Sequence, residues 1–504
     1  MVYNCSSNIC NIQVYYIKLG SFLRSIATMN TFIVEAKLNV RPFQHYALLK
    51  AFKYELIVYN RLLSFEKKKL VSFFLNDEVS NLRIELSKTK NIKKIKCLKS
   101  SLNKLRKDFS LTKFDIIKDV KLFYKEYKDY ISSQIAQSIA KRLDGTILKV
   151  IEDKNAELLH KKKMNSIESE STTNGIKYDG SNVIYKDMYL PIVTKKNSYF
   201  KEAINKYDLK YIRIVRRLGK TKSYYVAQFV FKGDPVSLKH IRLGEGNVGI
   251  DIGTSTIAIC SNEKVYIEEL SKEIDKTTNK INEINLLMER SRRANNPDNY
   301  NEDGTIKKEL KPWKNSNNYR RLRRKRRYLS RKVANQRKNL YEKEVNNLLL
   351  LGERFIVEPM DYKALQQRSK ETLKDEKGRF LKKTRYGKSI GNHAPSLFLS
   401  ILSRKLNYLQ KDLHKVNMIT FKASQYDHIK DEYIKCDLNT RIKDIGGHKV
   451  QRDLYSAFLL MNADDNLEKA DIKKCNDNFE RFLSLHEIEI KRLSKQTNIS
   501  CIGI

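Results

Sequence analysis

Apolar and polar residues alternate along residues 31–39, which predicts a half-buried β-strand. From Phe43 to about Glu66 the apolar spacing becomes helical, and residues 80–165 continue it as lysine-rich amphipathic helices. Residues 163–180 are rich in Ser, Thr, Asn and Gly, and we interpret them as a linker. The pattern therefore predicts one strand followed by a long helical segment.

Strand patterns return after the predicted linker. The β-rich runs Tyr211–Val215 and Tyr224–Phe231 flank a turn at Gly219–Lys222, which predicts a hairpin. We expect this hairpin and strand 31–39 to form one small β-unit that the helical segment interrupts. The run Val248–Ile259 then predicts a buried strand, a tight glycine turn and a second strand.

The second half of the chain alternates between predicted helices, strands and polar segments. The helical pattern is cleanest at 397–416, where apolar residues recur at spacings of three and four. Three stretches are polar: 291–318, 366–394 and 422–448. The other predicted elements are helix 272–290, a helix from Tyr319 to about Leu350, strand Phe355–Glu358, strand Met418–Phe421 and a helix that begins at Asp453.

The charge of the chain indicates its partner. The 504 residues exceed one ordinary core, so roughly two to four structural units are expected. The chain holds 99 Lys and Arg against 58 Asp and Glu, a formal net charge of +41 at pH 7. Such a surplus repels itself in a compact protein unless a polyanion is bound, which favours DNA or RNA as the partner.

Cysteine usage and apolar runs argue against other classes. The seven cysteines are scattered without a CxxC pair, so a disulfide framework is not expected and a reducing, cytoplasmic location is favoured. In a prokaryote this location would be nucleoid-associated. No run approaches the roughly 18 apolar residues of a membrane span. Residues 1–28 lack a signal-peptide pattern, and we interpret them as an N-terminal arm or as a mis-assigned start before Met29.

Three acids stand at the ends of apolar strands or at the start of a helix: Asp251, Glu358 and Asp453. A lone carboxylate in an apolar run is costly to bury unless a cation or hydrogen bonds compensate it. Acids from separate elements of one sheet are what an RNase H-like site requires. Converging carboxylates fit two Mg²⁺ ions, with Mn²⁺ as the alternative, better than zinc. One ion would activate the attacking water and the other would stabilise the leaving 3′ oxygen.

Each acid also has an ordinary structural interpretation. Asp251 would suit an Asx turn, and Glu358 would suit a salt bridge at the end of a strand. Asp453 would suit the cap of the helix that follows it. The order and context of the three acids favour the metal site.

The acids lie in motifs that resemble the split RuvC motifs of TnpB proteins. TnpB proteins are transposon-encoded RNA-guided nucleases that are similar to compact type V CRISPR effectors. The resemblance covers roughly residues 30–465 and is strongest from 247 onward. The motifs are Gly249-Ile-Asp-Ile-Gly253, Arg326-Arg-Tyr-Leu-Ser-Arg-Lys332, Ile356-Val-Glu358 and Gln451-Arg-Asp-Leu-Tyr-Ser-Ala457.

The resemblance implies an α+β multidomain protein with an RNase H-like (RuvC) nuclease domain, an interrupted wedge β-barrel and a helical recognition lobe. It implies that Asp251, Glu358 and Asp453 are the catalytic and metal-binding acids. It also implies a guide RNA and cleavage of matching DNA next to a short flanking motif. The implied domains are an arm at 1–28, the wedge at 29–45 and 178–246, the recognition lobe and linker at 46–177, the nuclease domain at 247–421 and 449–504 with a basic helical insertion at 272–350, and a target-strand-binding module at 422–448.

The chain departs from the TnpB pattern at two points. TnpB proteins usually carry a four-cysteine zinc ribbon just before the third acidic motif. Residues 424–449 contain only Cys436, so we predict a zinc-free module held by packing and hydrogen bonds. The third motif has Tyr455 where Asn is usual.

Residues 319–338 hold eleven Lys and Arg and no acid. A charge run is usually a solvated helix face, yet like charges one turn apart destabilise a helix unless phosphates relieve them. We therefore interpret this helix as a contact to guide RNA or heteroduplex that sets affinity and not sequence. The predicted nucleic-acid-binding residues are Arg320, Arg321, Arg323, Arg324, Lys325, Arg326, Arg327, Arg331 and Lys332.

Three alternatives to a guided nuclease remain open at this point. A nuclease-inactive RNA-guided regulator would bind matched DNA and not cut it, and a transposase would join DNA ends without RNA. An actin- or sugar-kinase-like ATPase shares the Asp-Ile-Gly-Thr phosphate loop. An ATPase also needs an adenosine-binding glycine pair, for which the chain offers only Gly446-Gly447 in a polar stretch.

Overall fold

A computed structural model describes residues 31–495, apart from 90, 154, 172–173, 194–197, 220–221, 236–240, 368–375, 377–385, 436 and 438–439. The chain divides into two compact units, Met1–Val236 and Ser237–Ile504. With 51% helix and 20% strand, it is a mixed α+β protein, as predicted. The predicted arm 1–28 lies outside the described residues. Within the described part of the chain, no helix has the length and apolarity that a membrane crossing requires.

The first unit is built on a curled sheet in which every described strand pair is antiparallel. The order of its seven strands is β2-β6-β7-β1-β5-β4-β3. Strand β1 pairs along its whole length with β7. The strands are β1 Thr31–Leu38, β2 Ser166–Ser169, β3 Ile176–Tyr178, β4 Asn182–Tyr185, β5 Met188–Val193, β6 Leu209–Leu218 and β7 Ser223–Lys232.

Strand 31–39 and the hairpin β6–β7 were predicted correctly, and the hairpin closes at the pair Leu218 and Ser223. The predicted linker at 163–180 is wrong, because it contains β2 and β3. Ile167 and Ile176 are fully buried in this sheet, and two apolar residues among many small polar ones left no visible alternation. Among the described residues no ladder joins the edge strands β2 and β3, and the wedge barrel stays a prediction.

The helices of the first unit share one core with the sheet. Phe32 and Phe231 from the strands belong to the same buried cluster as Leu62 and Ile139 from the helices. Amphipathic helices of this kind gain most of their stability from such packing. The helices are α1 Pro42–Leu75, α2 Asp77–Lys88, α3 Ile92–Leu105, α4 Lys113–Tyr124, α5 Ser133–Glu152 and α6 Ser198–Lys206, with a 3₁₀ turn at Lys125–Tyr127.

The second unit contains a five-stranded sheet in the order β10-β9-β8-β11-β12. Strands β8, β9 and β10 form an antiparallel meander. Strand β11 runs parallel to β8, and β12 runs parallel to β11. The strands are β8 Asn247–Ile252, β9 Thr256–Ser261, β10 Val265–Glu269, β11 Arg354–Val357 and β12 Leu413–Lys415.

Helices cover both faces of this sheet, which explains why its strands are almost continuously apolar. One face of β8, with Ile250, packs against Tyr341 of α8 and Phe398 of α11. The opposite face of the sheet, with Ile356, packs against Phe458 of α12. The helices are α7 Asp275–Asn295, α8 Asn317–Leu349, α9 Tyr362–Leu365, α10 Gly387–His393, α11 Pro395–Tyr408, α12 Arg452–Met461 and α13 Ile472–Ser494, with 3₁₀ turns at Lys272–Ile274 and Pro297–Asn299.

Two predictions around residue 410 are wrong. The helix predicted at 397–416 ends at Tyr408, because Gln410 adopts a left-handed backbone with φ 58° that stops a helix. The strand predicted at Met418–Phe421 is a turn, in which the Asn417 side chain accepts a hydrogen bond from the Ile419 amide at 3.1 Å. Its apolar residues reflect the burial of Phe421 and not a strand.

Two polar stretches also contain regular structure. Residues 422–448 include the pair β13 Tyr426–Asp427 with β14 Glu432–Tyr433, and the strand β15 Ile442–Ile445, which pairs with β16 His448–Gln451. Residues 366–394 include α10 at their end, and 368–375 and 377–385 lie outside the described residues. Strands of two to four residues carry too little periodicity to be recognised in a sequence.

Gly249 allows β8 and α12 to approach each other closely. A Cβ added at Gly249 would overlap the carbonyl oxygen of Ala457 and the amide nitrogen of Met461. At the start of β8, the Asn247 side chain donates a hydrogen bond to the Met461 carbonyl at 3.1 Å. These contacts fix how the helix lies along the strand.

We expect Gly249→Ala to lower the free energy of unfolding by about 1–3 kcal/mol, because overpacking against backbone atoms forces the helix away from the sheet. Urea-induced unfolding of the purified protein measures this loss. The matched control is Gly145→Ala in α5, where an added Cβ meets nothing within 4 Å. The control should be stabilised by about 0.5–1 kcal/mol, and equal stability of Gly249→Ala and the unsubstituted protein would contradict the close approach.

Candidate active site

Strand β8 and helix α12 place Asp251 beside Asp453. Asn247, Gly249 and Asp251 alternate along β8, so they share the face that packs on α12. Asn247 contacts the last turn of the helix and Gly249 its middle. Asp251 therefore lies toward the first turn of α12, which carries Asp453.

Strand β11 brings Glu358 to the same edge of the sheet. In the parallel register Ile250 pairs with Val357, Asp251 is the next residue of β8, and Glu358 directly follows β11. All three predicted acids line one cavity of about 720 Å³. The structure therefore brings the whole predicted set together.

The ordinary interpretations of the three acids find little support. Gln451, and not Asp453, caps α12, because its side chain accepts the Leu454 amide at 2.8 Å. Among the described residues, Glu358 forms no ion pair and the Asp251 carboxylate accepts no hydrogen bond. Neither a strand-end salt bridge nor an Asx turn accounts for these two positions.

Two arginines contact Asp453, whose side chain is 16% exposed. Arg452 Nη2 lies 3.1 Å from Oδ1, and Arg441 Nη1 lies 3.4 Å from Oδ2. Arg452 also donates to the Thr440 carbonyl at 3.1 Å. The ion pair between Arg441 and Asp453 therefore links the segment just before β15 to the first turn of α12.

The cavity holds more negative charge than its own cations offset. Burial raises the pKa of Asp251 well above its usual range, the Asp453 and Glu358 carboxylates raise it further, and Arg452 and Arg441 lower it only in part. Burial also raises the pKa of Glu358. A bound divalent cation would stabilise the ionised carboxylates and relieve this repulsion.

The donor set fits Mg²⁺ or Mn²⁺ in chemistry and in placement, since three carboxylates share one cavity wall. In the described part of the chain, however, no three His, Cys, Asp or Glu side chains converge tightly enough to form a ready metal site. The Asp453 carboxylate is directed at Arg441 and Arg452. Ligation would therefore require the carboxylates to move together and Asp453 to exchange its arginine partners.

Sequence reasoning missed several residues of the cavity wall. Asp361 lies there as a fourth acid, but its carboxylate caps α9 by accepting the amides of Lys363 and Ala364, both at 3.0 Å. Arg441 and Lys435 come from the stretch interpreted as irregular and polar. In the sequence, Arg441 and Lys435 are marked only as basic residues that precede the third acidic motif.

The nine predicted nucleic-acid-binding residues lie on α8, and none of them lines the cavity. Seven side chains are exposed, and Arg326 and Arg331 are half-buried. Arg326 donates to the Asn285 side chain of α7 at 3.2 Å. The thin apolar stripe of α8 packs on α7 through Leu322, which leaves most of the basic surface open to solvent.

Comparison with known proteins gives remote structural likenesses. No protein-family model matches the chain, and no curated protein matches it. The chain is similar to a solved Cas12f1–sgRNA–target DNA complex, at 11% identity and a TM-score of 0.40, over 86% of this chain and 99% of that chain. It is also similar to a CRISPR-Cas12f ternary complex, at 12% identity and a TM-score of 0.24, over 92% and 88%. At these values neither likeness assigns a role to a residue of this chain.

We expect Asp251→Asn to raise the melting temperature in metal-free buffer at neutral pH. The folded-state pKa of Asp251 is raised, so ionisation costs stability as pH rises above the ordinary carboxyl range. The amide removes this cost. Calorimetry with EDTA and with added Mg²⁺ measures the effect, and Mg²⁺ should stabilise the unsubstituted protein but not Asp251→Asn.

The matched control is Asp465→Asn, because that side chain is 89% exposed and lies outside the cavity. The control should melt at the same temperature as the unsubstituted protein and keep its response to Mg²⁺. A lower melting temperature for Asp251→Asn would mean that neighbouring groups overcompensate its charge.

Proposed function

We propose that this chain is a TnpB-like, divalent-metal-dependent endonuclease that cleaves DNA under the direction of a guide RNA. The observation that carries the proposal is the convergence of Asp251, Glu358 and Asp453 on one cavity. These acids are 107 and 95 residues apart along the chain. Parallel pairing and the close approach at Gly249 bring them together. Such an arrangement suits an RNase H-like nuclease, which takes its acids from separate elements of one sheet.

In this proposal Asp251, Glu358 and Asp453 hold the divalent cations. The cations supply Lewis acidity for phosphodiester hydrolysis. The chain contributes the three carboxylates, which line the same cavity, and the basic residues of its wall. Arg441 and Arg452 contact Asp453, and they would turn to the phosphate oxygens of the substrate once a cation takes their place. The arginines would thereby offset part of the negative charge of the cavity in one state and part of that of the substrate in the other.

The basic surface of α8 suits a role in binding the nucleic-acid backbone. Among the described residues, none of the seven exposed predicted binding residues pairs with an acid, so bound phosphates would relieve the repulsion along the helix. Such contacts bind any sequence. The guide RNA would then supply specificity by base pairing, with the protein bound to the backbone of the heteroduplex.

The guidance by RNA rests on the sequence motifs shared with TnpB proteins. An RNA-guided regulator without nuclease activity is the second candidate, and the arginine contacts to Asp453 are the observation that favours it. The ATPase is disfavoured because Gly446 and Gly447, with φ of 60° and 86°, form the turn of a hairpin.

We expect Asp251→Ala, Glu358→Gln and Asp453→Asn each to lower the rate of DNA cleavage more than about 100-fold, because loss of even an outer partner of a metal ligand costs 10–100-fold. The assay uses the purified ribonucleoprotein, DNA matched to its co-purified RNA, and Mg²⁺. RNA binding and salt-sensitive DNA binding should be unchanged. The control Asp465→Asn should cut normally.

The outcomes of this assay separate the candidates. Binding of matched DNA without any cleavage by the unsubstituted protein would establish the regulator. Joining of DNA ends without RNA would favour a transposase. Cleavage by Asp251→Ala at the normal rate would refute the assignment of the acids.

We expect Arg323→Gln and Arg327→Gln each to reduce the salt dependence of nucleic-acid binding. Each lost phosphate contact should lower the slope of log K against log salt by about 0.9 for B-form DNA and about 0.7 for a single strand. Titrations between low and physiological salt measure the slope. The matched control is Lys343→Gln, an exposed position near the other end of α8 between two glutamates. If both arginine variants have the same slope as Lys343→Gln and the unsubstituted protein, these arginines do not contact phosphates and this face of α8 is only solvated.

A further inference from the structure

The first turn of α12 is held from one side by His486 of α13. The Gln451 backbone amide donates to His486 Nε2 at 3.0 Å, and both residues are buried. Gln451 is the N-cap of α12 and accepts the Leu454 amide at 2.8 Å. His486 thereby fixes the residue that begins the helix.

Tyr455 holds the same turn to the segment just after β13. Its hydroxyl oxygen accepts the His428 backbone amide at 3.1 Å and lies 2.6 Å from His428 Nδ1. The Tyr455 hydroxyl and the His428 imidazole are therefore joined by a second hydrogen bond. Tyr455 and His428 are almost fully buried, and the Phe479 ring packs 4.7 Å from the imidazole.

The spacing of these contacts determines where Asp453 points. Gln451 and Tyr455 are four residues apart, so they lie on nearly the same side of the helix. Asp453 lies halfway between them, about 200° around the axis, and therefore faces away from the buried side. Fixing positions 451 and 455 from the core directs position 453 into the acidic cavity.

We propose that His486 and the Tyr455–His428 pair are positioning residues, which hold the first turn of α12 so that Asp453 faces the metal site. This inference rests on the proposed function. None of the three side chains lines the cavity, so each acts through the helix. The pair also links α12 to Ser424 and Gln425, which precede β13 and form part of the cavity wall.

The His486 imidazole must be neutral to accept the Gln451 amide at Nε2. Burial lowers the pKa of His486 and of His428, while Glu489 and Asp427 respectively raise it. The Glu489 carboxylate is engaged by the Ile267 amide at 2.9 Å and by Arg492. The rings Phe482 and Phe479 cover the histidines. Both imidazoles are therefore neutral at neutral pH, which leaves His486 Nε2 available as the acceptor of the Gln451 amide.

The test compares His486→Leu, His486→Gln and Tyr455→Phe with His448→Ala. Leucine removes the acceptor at position 486, whereas glutamine offers a carbonyl oxygen in its place. Phenylalanine keeps the packing of Tyr455 and removes only its hydroxyl. His448 is exposed on the hairpin β15–β16 and serves as the matched control. Thermal unfolding and RNA binding identify any variant that fails to fold.

Two readouts are taken on the purified ribonucleoprotein. The first is cleavage at saturating matched DNA together with the Kd for that DNA. The second replaces Mg²⁺ by Fe²⁺ with ascorbate and peroxide, so that radicals cut the polypeptide next to the bound iron, and mass spectrometry locates the cuts. The unsubstituted protein should be cut near residues 251, 358 and 453.

We expect His486→Leu and Tyr455→Phe to lower kcat by about 10–100-fold with an unchanged Kd, as for outer partners of metal ligands. Cuts near residue 453 should weaken while those near 251 persist. His486→Gln should recover most of kcat, and His448→Ala should match the unsubstituted protein. A folding defect that lowers kcat and RNA binding together would not produce this split.

Unchanged kcat and iron cuts in Tyr455→Phe and His486→Leu would overturn the inference and leave the proposed function intact. Loss in His486→Gln equal to that in His486→Leu would also overturn it, because the acceptor would then be irrelevant. If His486→Leu fails to fold, Tyr455→Phe decides alone. An unsubstituted protein that neither cuts DNA nor is cut by iron would overturn the proposed function, and this inference with it.

Discussion

The second unit depends on the contact between the backbone of β8 and the backbone of α12. Only glycine at 249 leaves room for the helix at this distance. The contact fixes the helix along the strand, and parallel pairing with β11 fixes the third element. Side chains that are remote in sequence then share one cavity, and their mutual repulsion is the cost of that convergence.

The whole molecule and the acidic cavity differ in the sign of their charge. The whole molecule carries a large positive surplus, whereas the cavity concentrates carboxylates whose protons are held more tightly than usual. A polyanion is attracted by the first and repelled by the second unless cations stand between them. In the absence of such cations, Arg441 and Arg452 offset only part of this charge through their contacts with Asp453.

The sequence allowed the long elements and the three acids to be predicted because both have strong local signals. Asp251 interrupts an apolar strand, and the strand β1 alternates without a break. The linker at 163–180 and the strand at 418–421 failed because two or three apolar residues fit several structures equally well. Arg441, His428 and His486 could not be foreseen, because their partners are set by tertiary packing and no local pattern marks them.

Helix α12, which carries Asp453, and the hairpin β15–β16, which adjoins Arg441, differ in how far they are buried. Eight of the ten residues of α12 are buried, whereas the hairpin β15–β16 that follows Arg441 is largely exposed at its turn. Amide hydrogens of the helix should therefore exchange with solvent only in rare, large-scale openings, and those of the hairpin in frequent local ones. Asp453 and Arg452 thus belong to the slowly opening helix, whereas Arg441 adjoins the hairpin, so that local opening of the hairpin would release one of the two arginines without distorting the core.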